Sequence, residues 1–258
     1  MPQYILFGNP VAHSLSPQLH ALFAAQFNTT IDYQKQLTAL NAFEKTVDAF
    51  RAQGGLGANI TIPFKTQAFS YADELTDRTK LAGAVNTFIF KENKCIGDNT
   101  DGVGFIRDLK INIQNKNVLI MGAGGATRGI LGDIIQKKPA SITLYNRTLI
   151  KAQELAEFFK SYFHIKMLST ENNFDLIINA TTMNFQKKPL FKFNLSNTYC
   201  YDLNYGKRAD SFLQWAKLQG AKNISDGLGM LVEQAAESYF QWVAKRPETG
   251  NVIKQLRI

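Results

Sequence analysis

At 258 residues, 45% of them apolar and 19 of them Phe, the chain has length for one large or two modest domains with real cores. Its net charge is +8, but the densest basic runs are only the pairs Lys137-Lys138, Lys187-Lys188 and Lys207-Arg208. Such scatter disfavours a nucleic-acid stripe and leaves an anionic ligand or plain solubility. Cys95 and Cys200, with His13, His20 and His164, show no ligand spacing, so neither a metal nor a disulfide framework is expected. No run nears the ~20 apolar residues of a bilayer span. The start MPQYILFGNP lacks a signal-peptide pattern, and the expected location is the cytoplasm.

Apolar runs bounded by Gly, Pro or Asn alternate with segments of helical period, which predicts an α/β protein. Strands are expected at Tyr4–Phe7, Ile31–Leu37, Gly57–Ile62 and Ala84–Phe90, with helices at Pro17–Gln26, Ala39–Gln53 and Phe64–Tyr71 between them. Ser16-Pro17 reads as a helix cap followed by a first-turn proline. A second series follows Asp101. It comprises strands Asn117–Met121, Ser141–Tyr145, Lys166–Leu168, Leu176–Ala180 and Cys200–Leu203, and helices Thr127–Lys137, Ile150–Phe163 and Ala209–Gln219. Leu228–Ala244 is the last long helix, with Val252–Leu256 a further candidate. Two α/β domains result: residues 1–101, completed by 228–258, and residues 102–227.

The most legible motif is Val118-Leu-Ile-Met-Gly122-Ala-Gly124-Gly125-Ala126-Thr127. It leaves a continuous apolar strand and opens a helix, the setting of a dinucleotide fingerprint. Gly122 permits the tight turn and Gly124 the close approach of a pyrophosphate to backbone N–H groups at a helix start. The third fingerprint glycine is replaced by Thr127. NAD-binding folds place an acid about 20 residues beyond the loop. Here the next strand ends in Asn146-Arg147-Thr148, with Lys151 behind it and no acid. Arginine there suits a ribose 2′-phosphate, so NADP is favoured over NAD.

Three polar clusters sit where first-half strands end, Ser14-Leu-Ser16, Asn59-Ile-Thr61-Ile-Pro63-Phe-Lys65 and Asn86 in Gly83-Ala-Val-Asn86-Thr87, and a fourth, Asp98-Asn-Thr100-Asp101-Gly102, lies at the proposed domain crossing. In an open α/β sheet such ends share a crevice. Their hydroxyls and amides suit a polyhydroxylated substrate, and Lys65 suits a carbonyl oxygen that gains charge. Singly, each has a structural reading. Ser16 and Asp101 serve as helix caps, Thr61-Ile-Pro63 as a strand end, Lys65 as an exposed helix lysine.

Taken in order, these motifs resemble the shikimate dehydrogenase family over almost the whole chain. The series continues with Gly122–Ala126, Asn146-Arg-Thr148, Asn179-Ala-Thr181, Asp202-Leu-Asn-Tyr205 and Asp226-Gly-Leu-Gly-Met-Leu-Val-Glu-Gln234. The resemblance implies a substrate domain with an open, mostly parallel sheet and a Rossmann-type NADP domain. It implies reversible NADPH-dependent reduction of 3-dehydroshikimate to shikimate. Lys65 and Asp101 would be the catalytic pair. Ser14, Ser16, Thr61, Lys65, Asn86, Asp101, Tyr205 and Gln234 would line the substrate pocket. Gly122, Ala123, Gly124, Gly125 and Ala126 would hold the pyrophosphate, and Asn146, Arg147, Thr148 and Lys151 the adenosine phosphate. Leu203, Gly227 and Met230 would flank the nicotinamide, and Asp77 matches an acidic position near the cofactor.

Two positions depart from the family pattern. Asn184 stands where glycine is usual, and Asn tolerates left-handed backbone. Lys151 replaces a common second arginine, giving a point charge in place of a bidentate fork. The implied partner is the small-molecule substrate, with no nucleic acid, no membrane and a monomer or homodimer. The rival readings are a quinate/shikimate dehydrogenase that also uses NAD, and a nucleotide-binding regulator whose active site has decayed.

Overall fold

The apolar run Tyr4-Ile-Leu-Phe7 forms β1 (Gln3–Gly8), buried along its length from Tyr4 as a central parallel strand must be. In this computed structural model, which describes residues 1–169, 173–185 and 193–257, two compact units appear. One comprises Met1–Arg107 with Leu231–Ile258, the other Asp108–Met230. The basic pair Lys187-Lys188 lies outside the described residues.

In the first unit, α1 (Ser16–Ala25) leads to the edge strand β2 (Asp32–Leu37), and α2 (Phe43–Ala52) to β3 (Gly57–Ile60). Then come α3 (Lys65–Tyr71), β4 (Glu74–Leu75), α4 (Asp77–Ala82), β5 (Thr87–Lys91), β6 (Lys94–Asp98) and α5 (Asp101–Asp108). The sheet order is β2-β1-β3-β5-β6-β4. The β1 pairings with β2 and β3, and that of β4 with β6, are parallel, while β5 runs antiparallel to β3 and β6. Reversing β5 has a consequence for chemistry. The amino end of β5 comes beside the carboxyl ends of β3 and β6, so Asn59, Thr87 and Asp98 fall in one row across three strands.

Three local expectations are corrected here. Ser16 is not the cap of α1: it is the first helical residue, and its N–H is accepted by Ser14 Oγ at 3.2 Å. Asp101 is not a cap either: it is the first residue of α5, and its carboxylate oxygens go to Lys65 and Asn86. The strand β6 was not foreseen. It follows a two-residue turn in which Glu92 and Asn93 both have positive φ (52° and 62°). That turn usually advertises itself by Asn-Gly or Asp-Gly, and a Glu in its first position hides it.

The second unit holds β7 (Asn117–Met121), α6 (Gly125–Gln136), β8 (Ser141–Tyr145), α7 (Leu149–Phe159) and β9 (Ile165–Met167). It continues with β10 (Leu176–Asn179), β11 (Tyr199–Asp202), α8 (Asp210–Leu218) and β12 (Asn223–Ser225). All pairings are parallel in the order β12-β11-β10-β7-β8-β9. The chain winds outward from β7 through β8 and β9, then restarts on its other side with β10. This makes the β7/β10 boundary a topological switch point, where such sheets bind ligands. Asn184 is not among the residues with left-handed backbone, so the usual glycine's conformational freedom is not used there.

Helices α9 (Leu228–Val243) and α10 (Gly250–Leu256) end the chain. Val232, Ala236, Tyr239 and Val252 pack with Leu19 and Phe23 on one side of the first sheet. Phe7, Phe43, Phe64 and Phe88 fill the other side. Each such Phe contributes about 1.5–3 kcal/mol by burial. The core of the second unit gathers Leu119, Met121, Ile177, Phe185, Phe212 and Trp215. Among the described residues no helix is long and apolar enough to cross a membrane.

Candidate active site

Lys65 begins α3 and Asp101 begins α5, helices that start just past the carboxyl ends of β3 and β6. Because those ends lie on one side of the sheet, residues 36 apart in the chain meet: Lys65 Nζ is ion-paired with Asp101 Oδ2. Their side chains are only 16% and 8% exposed, so water screens the pair little. The second carboxylate oxygen, Oδ1, accepts from Asn86 Nδ2 at 2.8 Å. Asn86 Nδ2 also reaches Gln234 Oε1 on α9 at 3.3 Å. Gly104 of α5 allows that approach: a Cβ there would strike the Gln234 backbone at 2.7 Å.

Ser14 and Ser16 form a second small group, their hydroxyls 3.0 Å apart. The Thr61 methyl packs on Gly8, which has no room for a side chain. Among the described residues, no direct hydrogen bond joins the Ser14–Ser16 pair or the Thr61 hydroxyl to Lys65 or Asp101. Asp77 opens α4 as an exposed residue ion-paired to Lys80 at 3.4 Å.

Behind the Lys65–Asp101 pair runs a buried polar row that motif reading left without roles. Tyr33 donates to Asn59 Oδ1 at 2.7 Å, and Asn59 Nδ2 reaches Thr87 Oγ1 at 3.1 Å and Ser238 Oγ at 3.0 Å. Thr87 donates to Asn86 Oδ1 at 2.8 Å. The available signal was spacing: Ser238 follows Gln234 by one helical turn, and Thr87 follows Asn86. The same unit buries His20 against Tyr33 (ring centroids 4.3 Å apart) and Trp242. Burial pushes its imidazole down to about 3, against a weaker opposing pull from the Asn59 side chain.

In the second unit the loop after β7 has the form of an anion cradle. Gly122 has φ +115°, and a Cβ there would meet the Ala180 carbonyl oxygen at 2.9 Å. Around Gly124 and Gly125 the space is open, and α6 starts with no side-chain cap. Uncapped N–H groups at a helix start fit a pyrophosphate. Thr127, at the missing glycine, is buried and donates to Gly122 O at 2.8 Å, so its hydroxyl braces the loop. Asn146 Oδ1 accepts the Ala123 N–H at 3.2 Å, a bracing contact from the end of β8. Arg147, Thr148 and Lys151 beside it are exposed, and the two cations suit a phosphate.

Across the switch point, β11 ends in a fully buried carboxylate. Asp202 accepts from Asn179 Nδ2 (2.9 Å), Asn204 N (2.8 Å) and Asn204 Nδ2 (2.8 Å). Burial raises its carboxyl to about 6, only partly offset by those amides. Asn204 in turn accepts the Gly227 N–H through its carbonyl at 2.8 Å, and Gly227 lies against the Leu203 carbonyl. Tyr205, half-buried just after β11, belongs to this unit. Burial pushes its phenol upward against the pull of Arg208.

Family models match three stretches of the chain. Residues 6–88 match the shikimate dehydrogenase substrate binding domain, 106–192 the shikimate / quinate 5-dehydrogenase family, and 227–257 the shikimate 5′-dehydrogenase C-terminal domain. A shikimate dehydrogenase (NADP(+)) of Nitrosospira multiformis is 46% identical over 265 residues, covering 98% of this chain and 96% of the relative. The crystal structure of an Ael1 enzyme from Pseudomonas putida superposes with a TM-score of 0.90 at 37% identity, covering 100% of this chain and 99% of that one. A shikimate 5-dehydrogenase from Thermus thermophilus, solved with NADP(H) and shikimate, gives a TM-score of 0.88 at 28% identity with 100% and 99% coverage. With 46% identity across nearly the full length, and with all three models in chain order, the protein belongs to the shikimate dehydrogenase family.

Proposed function

We propose that the protein is an NADP-dependent shikimate dehydrogenase, reversibly reducing 3-dehydroshikimate to shikimate in aromatic amino-acid biosynthesis. The observation that carries this reading is the shielded Lys65–Asp101 pair, held at both carboxylate oxygens within a family-matched substrate domain. When bound, NADPH supplies the hydride for the C3 carbonyl. Lys65, as its ammonium, delivers a proton from Nζ to the former carbonyl oxygen, and in the reverse direction its amine takes that proton back. Asp101 orients Nζ and binds the substrate hydroxyl. Ser14, Ser16, Thr61, Asn86, Tyr205 and Gln234 complete the substrate pocket.

Gly122–Ala126 holds the pyrophosphate, Arg147 and Lys151 the 2′-phosphate, with Asn146 and Thr148 shaping that end. Leu203, Gly227 and Met230 flank the nicotinamide, and Asp77 lies near the cofactor. Residues 1–101 with 228–258 form the substrate domain, and residues 102–227 the NADP domain. The enzyme works in the cytoplasm, as a monomer or homodimer, without nucleic acid as a partner.

The test is NADP+ reduction followed by absorbance, with shikimate and quinate each paired with NADP+ and NAD+. Shikimate with NADP+ is expected to give the highest kcat/KM. Equal use of quinate and NAD+ would move the protein to the quinate/shikimate branch, and no turnover at all would leave a nucleotide-binding regulator.

A further inference from the structure

We propose that Thr87 is a positioning residue for the reaction, acting through Asn86 on the Asp101–Lys65 pair; this rests on the shikimate dehydrogenase reading. Thr87 is fully buried, so it takes no direct part in binding substrate. Its role follows from which atoms can only donate and which can only accept. The Thr100 backbone N–H donates to Asn86 Oδ1 at 2.8 Å, which fixes that end of the amide as the oxygen and leaves Nδ2 facing Asp101 Oδ1.

The same reasoning fixes Asn59. Its Nδ2 faces the Asn86 backbone carbonyl at 3.3 Å, an atom that only accepts, while Tyr33 donates to its Oδ1. Asn59 therefore gives an N–H to Thr87 Oγ1; the Thr87 hydroxyl lies 2.8 Å from both Asn86 Oδ1 and Ser238 Oγ, and the amide oxygen, the stronger acceptor of the two, takes its single proton. Thr100 decides which way round the Asn86 amide sits, and Thr87 adds the second donor that fixes its plane. Each donor in such a chain polarises the next, so the last bond, Asn86 to the carboxylate, is strengthened by those behind it.

With the Thr87 hydroxyl gone, the Asn86 amide keeps its Thr100 and Asp101 bonds but loses one restraint on its plane, and Asp101 holds Lys65 less firmly. The loss should fall mainly on the chemical step, with only a small effect on ground-state binding through the substrate contacts of Asn86 and Asp101. This follows from groups that touch Asp101 and Lys65 being displaced while Ser14, Ser16 and Thr61 are untouched.

The experiment is steady-state kinetics with shikimate and NADP+ for the wild type, Thr87→Val, Thr87→Ser, Thr87→Cys and Lys65→Ala, with melting curves for each. Val keeps the volume and removes the donor; Ser keeps the donor; Cys offers a weaker one. We expect Thr87→Val to lose roughly tenfold or more in kcat with KM for shikimate within about threefold, and to shift the pH profile of kcat, while Thr87→Ser stays within about threefold of wild type and keeps its profile. The proposal is overturned if Thr87→Val keeps kcat within about threefold, if the loss appears in KM alone, or if Thr87→Ser is as impaired as Thr87→Val. Should Thr87→Val not fold, Thr87→Cys carries the test: kcat at least about threefold below that of Thr87→Ser supports the proposal, and equality overturns it. An inactive wild type would instead refute the assignment of function and take this proposal with it, whereas an active wild type beside an inactive Lys65→Ala isolates Thr87.

Discussion

Each unit buries a carboxylate at the ligand end of its sheet, and the two are treated in opposite ways. Asp101 is given a cation, Lys65, plus one amide donor. Among the described residues Asp202 receives amides alone, from Asn179 and Asn204, and burial lifts its carboxyl to about 6. Dipoles orient a carboxylate but do not cancel its desolvation, while an adjacent cation can. At the end of β8 in the second unit, Arg147 and Lys151 are exposed where a phosphate can reach them. At these ends the first unit thus sets a cation, Lys65, against its carboxylate, whereas the second leaves Arg147 and Lys151 exposed and its carboxylate, Asp202, to amides.

The largest expected break in this contrast is Lys65→Ala, which removes both the proton donor and the cation beside Asp101. It should lower kcat by roughly 10³-fold or more with normal folding, as read by steady-state assay and circular dichroism. A near-wild-type kcat would leave the pair a structural salt bridge.

Next comes Asp202. A carboxyl whose folded-state value is raised from 3.8 to about 6 binds its proton more tightly when folded. Its favourable contribution is therefore complete below about pH 4 and lost as pH rises through about 6, on the order of 3 kcal/mol. Urea unfolding at pH 4 and pH 7.5 should show wild type losing that much relative to Asp202→Asn. Equal pH slopes would mean that the amides compensate the charge fully.

The smallest effect sharpens the other half of the contrast. Arg147→Ala should raise KM for NADP+ by about tenfold while leaving KM for NAD+ unchanged, since only NADP carries the 2′-phosphate. An equal rise for both cofactors would place Arg147 away from that phosphate.

Much of this was legible along the chain, and the illegible parts share a cause. The strand, glycine turn and helix from Asn117 to Gln136 declare themselves locally, because an apolar run followed by glycines admits few other conformations. Ser16 misled because Ser before Pro is a common cap, and only the three-dimensional path of the loop shows Ser14 taking that N–H. The β6 strand was missed because its turn residues, Glu92 and Asn93, carry a weak signal that pairing with β5 overrides.

Residue order alone determined the two α/β halves, the glycine cradle, the cationic end of β8, and Lys65 and Asp101 as candidates for one site. The first three rest on local backbone preference or on side-chain chemistry that needs no partner to be recognised, and the last on the resemblance carried by the ordered motifs. The antiparallel placement of β5 was decided only in three dimensions. With it came the row Asn59–Thr87–Asp98 and the direction in which each amide and hydroxyl hands on its hydrogen. Those depend on which strands lie side by side, and strand neighbours are set by burial of whole faces rather than by any short stretch of chain.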